Sequence, residues 1–140
     1  MKFIAPLAAF ASIALAQNAN IAFPNGAKAT AGDEYLVQIQ QGDSLTNFEE
    51  IGIAIGITSC VQNGCFPAKE ELGDLLYSGP FKPVFHTTGG WEPYQNFTVK
   101  IPQSLPAGKA QINVAHAYLV GAGLSPIMDT LNETVHIITK

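Results

Sequence analysis

Apolar and polar side chains alternate with a period of two along most of this chain. Tyr35, Val37 and Ile39 alternate with Leu36, Gln38 and Gln40, and Ile51, Ile53, Ile55 and Ile57 with Gly52, Ala54 and Gly56. The same pattern recurs at Phe97, Val99 and Ile101, at Ile112 and Val114, and at Val135 and Ile137. Period two with β-branched residues on one parity predicts strands that bury one face. Dense turn signals separate them: Pro24-Asn25-Gly26, Gly42-Asp43, Ser78-Gly79-Pro80, Gly89-Gly90, Pro106-Ala107-Gly108 and Ser125-Pro126. One helical turn is expected at residues 67–72, where Pro67 and the acids Glu70 and Glu71 suit a first turn. About seven short strands with regular punctuation predict an all-β, antiparallel, immunoglobulin-like β-sandwich in a single domain.

The beginning of the chain breaks the pattern. Lys2 precedes an apolar run from Phe3 to Ile13, and Ala14-Leu15-Ala16 supplies the small-x-small pattern of a cleavage site. The run is too short to span a bilayer. Residues 1–16 are therefore expected to be a secretory signal peptide, residues 17–140 the mature domain, and the location extracellular. In that compartment the chain's two cysteines, Cys60 and Cys65, are expected to form a disulfide around the Asn63-Gly64 turn. Four residues separate them, which departs from a CxxC redox spacing.

Charge narrows the partners. Seven Lys stand against 11 acids, for a net charge of −4, and there is no Arg. Nucleic acid and anionic membrane surfaces, which call for Lys/Arg clusters, are disfavoured. No segment beyond residue 16 is long and apolar enough to predict membrane insertion.

Candidate chemistry is sparse. His86, His116 and His136 show no HxH or HExxH spacing, so they are read as separate histidines rather than metal ligands. A histidine-brace copper site would need an N-terminal histidine, whereas the expected mature residue is Gln17. Ser59 and Ser78 lack a nucleophile elbow. The pairs Glu49/Glu50 and Glu70/Glu71 are chain neighbours that a strand would point to opposite faces, so solvated charge is the expected role. No catalytic residue, metal site or cofactor is expected.

Surface features remain. Asn96-Phe97-Thr98 and Asn132-Glu133-Thr134 match the N-glycosylation pattern, each Asn on the polar parity of its strand. The small residues Gly52, Ala54 and Gly56 could make a flat docking face, but are better read as a central strand covered by its neighbours. Tyr77, Phe81, Phe85, Trp91 and Tyr94 crowd a Gly- and Pro-rich segment. Aromatics on constrained loops build binding sites, and equally fill sandwich cores. Phe81 and Phe85 are the members expected in the core, leaving Tyr77, Trp91 and Tyr94 as candidate partner contacts.

The chain resembles the NIS1-like fungal effectors, the necrosis-inducing secreted proteins. The matching pieces are Thr30-Ala31-Gly32, Tyr35–Gln40, Ser44-Leu45-Thr46, the Glu50–Ile57 strand running to Cys60, Leu76–Phe81, Tyr94–Val99, Gly108–His116 and Leu131–Val135. The resemblance implies a secreted fungal protein without enzymatic activity that binds host plant receptor-like kinases or associated kinases. It further implies suppression of pattern-triggered immunity and, in some hosts, cell death. The alternative from the residues alone is a wall-directed module that binds polysaccharide through the Trp91 region.

Overall fold

The structure is a computed structural model that describes residues 19–42, 47–87 and 92–140. The expected signal peptide, the Ser44-Leu45-Thr46 match and the Gly89-Gly90-Trp91 turn lie outside the described residues. Eight strands account for the regular structure: β1 (Ala19–Ala22), β2 (Lys28–Thr30), β3 (Glu34–Gln41), β4 (Phe48–Ser59), β5 (Asp74–Gly79), β6 (Tyr94–Lys100), β7 (Gly108–Val120) and β8 (Ser125–Ile138). They form a three-stranded sheet in the order β1-β3-β6 and a five-stranded sheet in the order β2-β8-β7-β4-β5, the larger one curled into a half-barrel. Among the described residues there is no helix. Pro67–Leu72 makes only a turn, in which Glu70 N and Glu71 N donate to Pro67 O at 2.9 and 3.2 Å.

The five strands foreseen from alternation are all present. Three are additions: β1, β2 and β5 have 4, 3 and 6 residues, too few to show a period against their Pro, Gly and Ala neighbours. Pairing is antiparallel throughout with one exception, since β2 runs parallel to the end of β8, with Lys28 opposite His136 and Thr30 opposite Ile138.

The two sheets bury the predicted parity between them. Val37, Ile39, Ile55, Ile57, Ile101, Ile112, Val114, Val135 and Ile137 are all at most 1% exposed. Each such side chain contributes roughly 1.5–3 kcal/mol by leaving water. Phe81 joins them at 2% exposure. Phe85 does not: it is 67% exposed, because only the segment before it turns inward. Ile51 also leaves the set, at 56% exposure. The register of β4 on β7 slips between Glu50 and Gly52, and the extra residue, Ile51, is expelled to the outside as in any β-bulge.

The outer face of the larger sheet is closed at one end by the chain itself. The segment between β4 and β5 is bridged by Cys60–Cys65 and folds back over β7. Gln111 Nε2 donates to Phe66 O at 2.7 Å and to Asn113 Oδ1 at 2.7 Å; Asn113 Nδ2 donates to Thr58 Oγ1 at 3.0 Å and Leu72 O at 3.1 Å. The two polar side chains are thereby buried with their hydrogen bonds made, the condition for tolerating them inside. Gly56 allows this closure. A Cβ there would sit 2.2 Å from Leu72 O, so the small-residue strand is covered at this point by backbone rather than left as a docking face. Gly56→Ala is expected to cost about 1–3 kcal/mol, whereas Gly123→Ala, with nothing within 4 Å of a Cβ, should stay within about 0.5 kcal/mol of wild type. Urea unfolding of both variants measures the difference, and equal midpoints would contradict the close approach.

Candidate functional site

The β4 bulge has a second consequence. Before it, even-numbered residues of β4 face inward; after it, odd-numbered ones do. Glu50, opposite Tyr118, is therefore turned towards the inside of the curled sheet. There it meets His116, which is fully buried and hydrogen-bonds through Nε2 to Glu50 Oε2. The Glu50 side chain retains 18% exposure, but its Oε1, like His116 Nδ1, is buried with no hydrogen-bond partner among the described residues. Aromatic rings pack around the imidazole: Phe81 edge-on at 5.2 Å, Tyr118 at 4.8 Å and Phe48 at 6.5 Å. Tyr118 in turn donates its hydroxyl to Asp129 Oδ2 on β8.

This row of Glu50, His116, Tyr118 and Asp129 crosses three adjacent strands. Burial, then the hydrogen bond and negative charge of Asp129, then the charge of Glu50 push the Tyr118 hydroxyl well above its ordinary value. Acid–histidine pairs serve as proton relays where the imidazole reaches a substrate. Here the ring has no exposed atom, and the arrangement ties three strands together at the open end of the half-barrel. Among the described residues, no three or more His, Cys, Asp or Glu side chains are gathered as a metal would require. The sequence reading of Glu50 as solvated charge is thus corrected. The signal that could have revealed it is the change of parity between Phe48 and Ile51.

The candidate partner contacts lie elsewhere. Tyr77 is committed to the fold, its ring 4.7 Å from Phe97 and its hydroxyl donating to Pro80 O at 2.7 Å. Tyr94 opens β6 and is bridged to Val84 by Val84 N to Tyr94 O at 3.2 Å and Tyr94 N to Val84 O at 3.1 Å. Its ring is stacked on His86 at 3.7 Å with 10° between the planes. Val84 and Phe85 stand beside this stack, 55% and 67% exposed, on the segment that leads to Trp91. Sequence reasoning had named Tyr94 but not Val84, Phe85 or His86 at this surface. Asn96 and Asn132 are both exposed on outward parities, and Cys60 and Cys65 are joined as expected.

The fold and its surface define a small two-sheet β-protein closed by one disulfide-bridged segment. The sequence profile of the Nis1 family matches residues 14–136, and the chain belongs to that family. A stretch of 64 residues, 46% of this chain, is 33% identical to thyroglobulin of Rattus norvegicus. The chain spans about 2% of the length of that relative. Among solved structures, the superoxide reductase (neelaredoxin) from Ignicoccus hospitalis is similar with a TM-score of 0.50 at 13% identity, over 87% of this chain and 82% of the other. A point-substituted form of the same reductase gives 0.50 and 13% over 92% and 86%. At that identity the likeness is one of fold alone.

Removing the carboxylate by Glu50→Ala leaves a buried imidazole without its partner and is expected to cost about 1–3 kcal/mol in urea unfolding; a loss below about 0.5 kcal/mol would show that the pair contributes nothing. A pH dependence follows from Tyr35, whose hydroxyl donates to Gly26 O at 2.6 Å and is pushed up by burial from 10.0 to about 12. A raised value means the folded state holds the proton longer. Its stabilising contribution is intact below pH 10.0 and is lost as pH rises through about 12. Unfolding midpoints measured across this window should fall, and Tyr35→Phe should flatten the fall.

Proposed function

We propose that the protein is secreted and acts as an effector without enzymatic activity, binding host plant immune-signalling proteins of the receptor-like kinase class and damping pattern-triggered immunity. Membership of the Nis1 family over residues 14–136 carries this reading. The disulfide is compatible with an extracellular life, and the acid–histidine pair is closed off by full burial of His116. The binding surface is the segment from Val84 to Tyr94. Exposed Val84 and Phe85 beside the His86–Tyr94 stack offer apolar and aromatic area on a segment anchored to β6, the kind of surface that supplies energetic anchors. Trp91, which the sequence places between Phe85 and Tyr94, is the further candidate anchor of this segment. The architecture is of the immunoglobulin-like kind, supported by a β8-β7-β4-β5 order that reads as G-F-C-C′ and a β1-β3-β6 order that reads as A-B-E.

The flat His86–Tyr94 stack also suits a sugar ring, which keeps polysaccharide as the second reading. Titration of purified receptor-like kinase domains with the mature chain tests the first, and pull-down on insoluble chitin, cellulose and β-glucan tests the second. Phe85→Ala and Trp91→Ala are expected to weaken kinase binding roughly thirtyfold, the equivalent of about 2 kcal/mol each. The melting temperature of Phe85→Ala should be unchanged, because that side chain is mostly in water. Kinase binding unaffected by both substitutions would place the interface elsewhere. Retention on one polysaccharide without kinase binding would favour the second reading.

A further inference from the structure

One glycosylation pattern sits on an edge strand, β6, and the other on β8, which its three-residue edge neighbour β2 covers only in part. In the smaller sheet β6 is an edge strand. Its Tyr94 N–H and C=O point to the open side, where Val84 covers them. The adjoining Lys82 N donates to Gln95 Oε1 at 2.7 Å. The cover stops there. By the period of two, Asn96, Thr98 and Lys100 direct their backbone groups to the same side, with no strand paired to them among the described residues.

The larger sheet repeats the arrangement. β2 covers β8 over His136–Ile138, and His136 N donates to Ala27 O at 2.9 Å. The register of β8 on β7 runs unbroken from Ser125 to Ile137, so the even-numbered residues keep this direction. Thr134, Asn132, Thr130 and Met128 therefore face their N–H and C=O towards an edge where, among the described residues, no strand pairs. Pro126 falls on the same parity, at an edge position where its missing N–H costs no ladder bond. Met128 is 64% exposed there. A strand with about ten residues of free edge is a template for pairing with another chain.

We infer that Asn96 and Asn132 carry N-linked glycans and that these glycans guard the two open sheet edges against strand pairing. The reading rests on the secretory route of the proposed function. Asn96 is the first edge-facing position past the Val84 cover and Asn132 the second past the β2 cover, after Thr134; both belong to the edge-facing parity and are exposed. At Asn96 the Oδ1 accepts from Gln38 Nε2 at 3.0 Å, which leaves Nδ2, the atom that is modified, outside that bond. In the transfer, Nδ2 bonds to C1 of the first N-acetylglucosamine of a polyprenyl-pyrophosphate-linked oligosaccharide. The bond from C1 to the pyrophosphate oxygen breaks, the lipid pyrophosphate leaves, and Nδ2 gives up one proton. An incoming strand would have to lie about 4.8 Å from the edge, within the space that the attached oligosaccharide sweeps.

The test is secretion of the full chain from a fungal host, intact mass, and sedimentation equilibrium before and after enzymatic removal of glycans from the folded protein. Two glycans and a monomer are expected before treatment. A concentration-dependent doubling of mass with unchanged circular dichroism is expected after it. Asn96→Gln with Asn132→Gln should double in the same way, and adding Met128→Lys to the deglycosylated form should restore the monomer. A secreted chain carrying no glycan, or one that stays monomeric once stripped, overturns the inference while leaving the secretory reading intact. Absence of the chain from the medium overturns both.

Discussion

Burial of β7 on both faces is the constraint on which the molecule depends. Ile112 and Val114 close the space between the sheets, while Gln111 and Asn113 on the opposite face are buried under the disulfide-bridged segment. A strand covered on one side only would need nothing more than alternating apolar residues. Covering the second side of β7 demands partners for two amide side chains. It also demands a β4 neighbour small enough for backbone to approach, and Gly56, Thr58, Phe66 and Leu72 meet those demands together. The bridge between Cys60 and Cys65 keeps this cover compact by restricting the chain that must fold back.

The other end of the same sheet is organised by a single inserted residue. Without the bulge at Ile51, the parity of β4 would continue, Glu50 would face solvent and His116 would be buried without its carboxylate. The insertion instead sends an isoleucine outward and a glutamate inward, reversing what hydrophobicity alone would choose. The rings of Phe81 and Tyr118 pack on the imidazole of this row, and Tyr118 and Asp129 join β7 to β8, while Glu50 Oε1 and His116 Nδ1 are buried with no hydrogen-bond partner among the described residues. Such a row favours one register of β4, β7 and β8 over its neighbours, because a slip by one residue would turn all its members outward.

These two constraints separate scaffold from surface. Chemistry-bearing residues that look functional in isolation, the histidine at 116 and the paired acids at 49 and 50, divide between core and solvent. The segment after Phe81, by contrast, is pinned where Val84 meets Tyr94 and carries the side chains of Val84 and Phe85 in water.

Much of the fold was legible in the chain. Alternation placed the inward faces of β3, β6, β7 and the end of β8, the spacing of Cys60 and Cys65 indicated their bridge, and the run of residues matching the Nis1 family indicated the relatives. Period two records which side of a strand is apolar, and that follows from local order alone. It could not record the bulge at Ile51, since an inserted residue is defined only by the strand opposite it. Nor could it show that Gln111 and Asn113 are buried, because the loop that covers them arrives from residues 60–73. Phe85 was placed wrongly for the same reason: an aromatic among Gly and Pro carries no sign of which side of the chain the core will occupy. Local sequence determined which residues could form strands and which side each would bury; only the packing of distant strands decided where parity broke, which polar groups were enclosed and which aromatics were left in water.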